Sequence, residues 1–195
     1  SKLLRQKNAI KQTLSELKMS NDKAAQLLLE NLNKAALDGL KTSIKLIESE
    51  MLRLVKQDDA VSANYNRMIT VPGIGKITAI FIICCTNNFA IKITGKQLAN
   101  YTGVVPHEHK SGTSVKGRNR VHFMANKELK AILTMGALSA ISAYPEFKDY
   151  YNRKINEGKK PLQVLNAIKN KMLLRVVAVI NQQKNYENKY QSVCA

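Results

Sequence analysis

Hydrophobic positions recur at helical spacing almost from the start of the chain. Residues 2 to 18 put Leu3, Ile10, Leu14 and Leu17 on one side, with lysines and an arginine elsewhere. Met19-Ser-Asn-Asp22 interrupts the pattern; Ser20 or Asn21 suits a cap for the next helix and Asp22 its first turn. From Leu37 the steps alternate between three and four through positions 37, 40, 44, 47, 51, 54, 58, 61, 65 and 68, which hold Leu, Leu, Ile, Ile, Met, Leu, Asp, Val, Tyr and Met. Only Asp58 breaks this seam, so the spacing predicts a coiled coil or a long helix laid on a partner. A helix of over about 40 residues with so little local core requires antiparallel pairing within the chain or a second chain, and a homo-oligomer through the 37–68 helix is expected. Gly39 weakens its early part by about 1 kcal/mol relative to Ala.

Beyond the seam the apolar positions cluster. Met68, Ile69, Val71, Ile74, Ile77 and residues 79–83 flank a tight Pro-Gly-x-Gly turn, the local pattern of a helix-hairpin-helix element. Pro72 fixes its own φ, and Gly73 and Gly75 permit a turn that a side chain would block. Gly75 and Lys76 open a second helix whose unpaired N–H groups can hold a phosphate; an ordinary interhelical turn is the alternative. That helix is nearly all apolar and is expected to be buried, with Asn87 and Asn88 ending it. Thr94 to Tyr101 reads as a short helix capped by Thr94 and closed by Gly103, with Leu98 and Tyr101 facing inward. Three further helices are expected, at 126–143, from Pro145 to Gly158, and from Pro161, where Leu165, Ile168, Met172, Leu173, Val176 and Ile180 form a core stripe. After Asn181 the chain turns polar and is expected to fray. Period-two alternation is weak throughout, and its best instance, Val115 to His122, would be one arm of a small hairpin. The fold class is therefore mainly all-α: a helical linker and coiled-coil stalk at 1–67, a compact helical domain at 68–184 with the helix-hairpin-helix element and a basic loop, and a polar tail at 185–195.

Charge adds a partner to this picture. The 195 residues hold 31 Lys and Arg against 14 Asp and Glu, a formal net charge of +17, while 45% hydrophobic content argues against disorder throughout. A chain this basic meets nucleic acid, an anionic membrane or an acidic protein. Charge concentrates in the segment from Val104 to Arg120. Lys110, Lys116, Arg118 and Arg120 sit within 11 residues free of acids, beside Ser111, Thr113 and Ser114. Such a segment repels itself unless an anion compensates, although a solvated loop is the plain alternative. No apolar stretch reaches the roughly 18 residues of a membrane span, and no signal peptide opens the chain. Cys84 and Cys85 lie in an apolar run and Cys194 is penultimate, a usage that fits buried thiols in a reduced intracellular protein rather than a disulfide framework.

Candidate chemistry is sparse. Glu146 and Asp149 share a helix face, a spacing that usually marks a solvated surface, and His107, His109 and His122 lack a zinc-ligand pattern. Ser111, next to Gly112 in the cationic loop, is a possible nucleophile toward a phosphodiester, with His107 and His109 within reach in sequence to take its proton; loop serines more often form turns or bind phosphate.

The runs Val71-Pro-Gly-Ile-Gly-Lys-Ile-Thr-Ala79, Lys96-Gln-Leu-Ala-Asn-Tyr-Thr-Gly-Val-Val-Pro106, Lys110-Ser-Gly-Thr-Ser-Val-Lys-Gly-Arg118 and Asn126-Lys-Glu-Leu-Lys-Ala-Ile-Leu133, in that order, resemble the C-terminal domain of the insertion-sequence one-ten family of transposases, relatives of the Piv DNA invertases. The resemblance covers about residues 68 to 180. It implies a recombinase that cuts and rejoins DNA, in several members guided by a structured bridge RNA. It also implies a cytoplasmic, nucleoid-associated prokaryotic setting and a covalent serine that falls at Ser111, with Ser114 in reserve. Nucleic-acid contacts are expected from Gly73, Gly75, Lys76, Lys110, Thr113, Lys116, Arg118, Arg120, Asn126 and Lys127. Full-length relatives carry an N-terminal RuvC-like domain with an Asp-Glu-Asp-Asp metal site. Residues 1–67 hold no such strand pattern, so the chain reads as a fragment, begun without Met, that needs no cofactor of its own and is inactive alone, with Mg2+ expected in the missing domain. A non-catalytic nucleic-acid-binding or dimerisation module is the alternative. The family's Ser-Lys-Arg/Met-Gly-Asn stands here as His122-Phe-Met-Ala-Asn126, losing a basic residue and a glycine.

Overall fold

The computed structural model describes residues 2–17, 23–105, 107–111, 115–121, 123–188 and 190, with the backbone alone described at 17, 25, 26, 107–111 and 115–120. Among these the chain forms α1 (Lys2–Leu17), α2 (Lys23–Gln57), α3 (Asp59–Ile69), α4 (Lys76–Thr86), α5 (Gly95–Tyr101), β1 (His107–Ser111), β2 (Val115–Arg120), α6 (Lys127–Ala143), α7 (Pro145–Asn156) and α8 (Pro161–Gln182). The mainly all-α class is borne out. The chain divides into two compact units, Ser1–Lys56 and Gln57–Ala195.

The first unit holds α1 and nearly all of α2. On α2, Leu37, Leu40, Ile44 and Met51 are half-buried, whereas Ile47 and Leu54 of the seam are exposed, as are Leu27, Leu28, Leu32 and Leu46. The seam does not run through a single helix to Met68. Asp58, its one polar member, is the N-cap of α3: its Oδ1 accepts from the N–H of Ala60 at 2.9 Å and of Val61 at 3.0 Å. A carboxylate that satisfies two free N–H donors starts a new helix rather than continuing an old one. Tyr65 and Met68 are consequently core residues of the second unit.

In the second unit α8 is the central element, with α3, α5, α6 and α7 packed on it, while α4 packs on α3 and α6. Its stripe of Leu165, Ile168, Met172, Leu173 and Val176 is buried as expected. Local signals set the boundaries. Thr94 forms a reciprocal capping box with Gln97, Pro145 and Pro161 open α7 and α8, and Asn87 ends α4 in the left-handed region. Three details differ from the sequence reading. Cys84 is exposed and Cys85 half-buried, because residue 84 falls on the outer side of α4. Tyr101 is exposed, its hydroxyl being used by Asn126. The chain after α8 does not fray at Asn181: Gln183 takes a left-handed cap and the segment folds back, where the Tyr186 N–H donates to Thr70 Oγ1 at 2.8 Å and Tyr190 Oη to Asp149 Oδ2 at 2.9 Å.

Arg175 explains that return. Its guanidinium lies 4.9 Å from the ring centres of both Phe147 and Tyr186 and pairs with Glu146. Nη1 is buried and has no hydrogen-bond partner among the described residues, so the two ring faces supply what water would have given. Glu146 and Asp149, considered from sequence as a carboxylate pair, are thus tied to Arg175 and to Tyr190 respectively.

Candidate nucleic-acid interface

The connection from α3 to α4 is built by Val71, Pro72, Gly73, Ile74 and Gly75. Val71, Pro72 and Ile74 are buried, and backbone bonds from Val71 to Met68 and from Ile74 to Val71, each 3.0 Å, close the turn. Gly73 has φ +84, and a side chain there would meet Met172 Cε at 2.8 Å and the Gly136 carbonyl oxygen at 2.9 Å. The turn is therefore seated against α6 and α8 by a glycine-to-glycine approach. Gly75 is exposed, with open space where a side chain would go, and it caps α4 without a side-chain bond. Lys76 follows, exposed, at the first position of α4. Gly73 is thus a packing residue, while Gly75 and Lys76 are accessible.

β1 and β2 pair in antiparallel fashion. His107 pairs with Arg120, His109 with Gly117, Lys110 with Lys116 and Ser111 with Val115, with an irregularity between His107 and His109. Ser111 is the last residue of β1, and Lys110 stands directly opposite Lys116 across the ladder. Arg118 and Arg120 lie on β2. Gly112, Thr113 and Ser114, which join the strands, lie outside the described residues, as does His122.

Beyond β2, Asn126 caps α6. Its Oδ1 accepts from the Leu129 N–H at 2.9 Å, while Nδ2 lies 3.3 Å from Tyr101 Oη and 3.6 Å from Cys85 Sγ. The residue expected to touch nucleic acid is engaged in joining α4, α5 and α6, a role the sequence signalled only through the capping position. Lys127 is exposed at the first position of α6, as Lys76 is on α4. A cation at a helix N-terminus opposes the macrodipole by about 0.3–1 kcal/mol. Bound anions would offset that cost at both places.

Lys169 was not anticipated. It is 4% exposed on α8, its Nζ donating to Thr134 Oγ1 at 3.1 Å, and burial with Lys130 nearby pulls its ammonium below the usual lysine range. Among the described residues no group of three His, Cys, Asp or Glu side chains gathers where a metal ion would be held, and no helix is long and apolar enough to cross a membrane.

Residues 65–152, from α3 through most of α7, match the family described as Transposase IS116/IS110/IS902. That stretch is similar to the transposases of this family. The chain is also similar to the pilin gene-inverting protein of Moraxella bovis, 28% identical over 148 residues that make up 75% of this chain and 46% of that protein. The insertion element IS110 uncharacterized 43.6 kDa protein of Streptomyces coelicolor is 24% identical over 153 residues, 73% of this chain and 38% of that protein. A probable family 20 transposase of Pseudomonas aeruginosa is 25% identical over 153 residues. The chain spans under half the length of these relatives, and the match takes in the turn, the hairpin and the start of α6 together.

Proposed function

We propose that this chain is the DNA-binding and strand-joining part of a transposase or DNA-inverting recombinase, with Ser111 as its nucleophile. The observation that carries the reading is the position of Ser111. Within a stretch similar to this transposase family, it ends β1 of a hairpin whose acid-free run from Lys110 to Arg120 holds four cations. A phosphodiester lying along the hairpin is neutralised by Lys110, Lys116, Arg118 and Arg120, with Thr113 as a hydroxyl donor. Ser111 Oγ attacks phosphorus; the Oγ–P bond forms as the bond from phosphorus to a deoxyribose oxygen breaks. The serine proton passes to a neighbouring base, for which His109, two residues earlier on β1, and His107 are the candidates, and the departing oxygen takes up a proton. Because the product is again a phosphate ester, a second strand hydroxyl reverses the step and joins DNA. Ser114 is the reserve nucleophile. Gly75 and Lys76 on α4, and Lys127 on α6, extend the phosphate contacts along two helix N-termini. Mg2+ belongs in this reading to a RuvC-like domain outside the chain, and no step above is routed through it.

Self-association has its own support. Ile47, Leu54, Leu46 and Leu32 are exposed along α2, more apolar surface than a lone surface helix presents. A homo-oligomer through the 37–57 part of the seam would cover it and bring two Ser111 hairpins into one assembly.

The test is Ser111→Ala in the intact recombinase, incubated with nicked DNA substrates and resolved under denaturing conditions. Loss of the protein–DNA adduct with DNA binding retained is expected. An undiminished adduct refutes Ser111, and its loss in Ser114→Ala instead moves the role there. Sedimentation of Ile47→Asp against the unaltered chain tests the seam: a drop to monomer is expected, and an unchanged size refutes it.

A further inference from the structure

Between α4 and α5 the chain takes a costly path. Asn87, Asn88 and Phe89 stand at φ 46, 52 and 58, three successive residues with side chains in the left-handed region. The Thr86 hydroxyl secures the turn, accepting from the Phe89 N–H at 3.3 Å and donating to the Ile82 carbonyl at 2.8 Å. Residues 91–93 are thereby brought beside α5 and the end of α4, and a cavity of 260 Å3 lies between them. Thr86 and Leu98 are its buried members, Ile93 is half-buried, and Ile91, Gln97 and Tyr101 are exposed at its rim. The volume falls below the roughly 300–1,000 Å3 of sites for drug-sized ligands, and it suits a single small ring system.

The polar groups at the rim restrict the ring. Gln97 Oε1 is spent on the capping box, accepting from the Thr94 N–H at 2.8 Å and from Thr94 Oγ1 at 2.9 Å, and Tyr101 Oη accepts from Asn126 Nδ2 at 3.3 Å. The Gln97 amide N–H groups and the Tyr101 O–H are left as donors, so the rim favours a flat ring with acceptors along its edge. A nucleobase is such a ring, whereas an aliphatic chain would leave those donors unmatched. Location points the same way. Lys92 lines the cavity and has no carboxylate partner among the described residues. Asn126, whose side chain reaches Cys85 and Tyr101 of the cavity, is followed by Lys127 at the start of α6. The cavity is thus continuous with a helix start already read as a phosphate contact, and a base within it would keep its phosphates outside, near cations.

We propose that the cavity between α5 and residues 91–93 receives one extrahelical nucleobase of bound DNA, enclosed by Ile91, Ile93 and Tyr101 and met at its edge by Gln97. This subsite rests on the nucleic-acid reading given above and adds to it a preference for DNA from which a base has left the stack.

The test uses the chain with two DNA duplexes, one carrying 2-aminopurine as a single-base bulge and one fully paired. Tighter binding to the bulge and a change in 2-aminopurine fluorescence are expected. Ile93→Trp fills the cavity and should lower the ratio of bulged to paired affinity about tenfold, with loss of the fluorescence change. Gln97→Glu keeps the acceptor that Thr94 uses while removing the donors, and should lower the same ratio; it decides the matter if the Trp variant does not fold. A duplex with 5-iodouracil at the bulge should photocross-link to Tyr101 or to residues 91–93. An unaltered ratio and fluorescence in a variant that melts like the unaltered chain overturn the subsite, and so does a cross-link confined to other parts of the chain. Salt-dependent binding of both duplexes with equal affinity also overturns it but leaves the phosphate contacts standing. Absence of any DNA binding by the unaltered chain overturns the nucleic-acid reading as well.

Discussion

The Val71–Gly75 turn and the β1–β2 hairpin both join glycine to lysine, and from sequence both suggest phosphate binding, yet they are made of different material. The turn is set into the core, with Val71, Pro72 and Ile74 buried and Gly73 in close approach to Gly136 and Met172. The hairpin has one apolar residue, Val115, among residues 107–120, and therefore almost nothing with which to join a core. Glycine in the first allows two backbones to meet; in the second it sits among charges. The lesson is that a Pro-Gly-x-Gly run is first a joint between helices, and only its accessible end, Gly75 and Lys76, remains free for a ligand.

The sharpest way to break this comparison is to add one methyl group. Gly136→Ala places a Cβ 2.3 Å from the Gly73 carbonyl oxygen, and Gly73→Ala adds strain at φ +84; each should lower unfolding stability in urea by about 3 kcal/mol or more. Gly75→Ala meets open space and should change it by less than about 0.5 kcal/mol. Equal melting curves for Gly73→Ala and the unaltered chain would remove the distinction.

Arg175→Ala comes next. It strands Glu146 in a largely buried position and removes the cation held between Phe147 and Tyr186, for an expected loss of about 3 kcal/mol. Faster hydrogen exchange at the Tyr186 N–H, now bonded to Thr70, should accompany it.

Lys169→Met should act in the other direction, stabilising by about 1 kcal/mol at neutral pH, since a buried ammonium with no carboxylate partner among the described residues is replaced by an apolar chain. The sign with pH is fixed by the lowered titration of Lys169. Between that titration and the ordinary lysine value of 10.5, the unfolded chain binds more protons, so the wild-type disadvantage shrinks as pH rises. Urea titrations of both proteins at successive alkaline pH values measure it, and a gap constant with pH would show that Lys169 titrates in the fold as it does in the unfolded chain.

The smallest expected effect on stability is in the hairpin. Replacing Lys116, Arg118 and Arg120 together by Ala should leave the melting temperature nearly unchanged while the slope of log affinity for DNA against log salt falls by about 3. A collapse of the fold on this triple change would mean that the hairpin belongs to the core after all.

Much of this was legible in the chain. The α8 stripe, the Thr94 capping box, the proline starts of α7 and α8 and the Val115 strand all follow from period, cap and turn chemistry within a few residues. The seam reading failed at Asp58 because heptad spacing counts positions and cannot see that one carboxylate caps two N–H groups. The tail after Asn181 was misjudged for a related reason: Tyr186 and Tyr190 find Arg175 and Asp149 across long separations in sequence, which no local pattern encodes. Asn126 shows its role only once Tyr101 and Cys85 are seen beside its side chain.

By itself, then, the sequence determined the helical periodicity, the family motifs and the place where charge accumulates, because each is a property of neighbours along the chain. Tertiary structure decided which glycine is a joint and which is open, that Asn126 is a structural cap, and that Tyr101 is exposed. Those outcomes depend on what approaches from α5, α6 and α8, and the free energy of a contact resides in both partners at once.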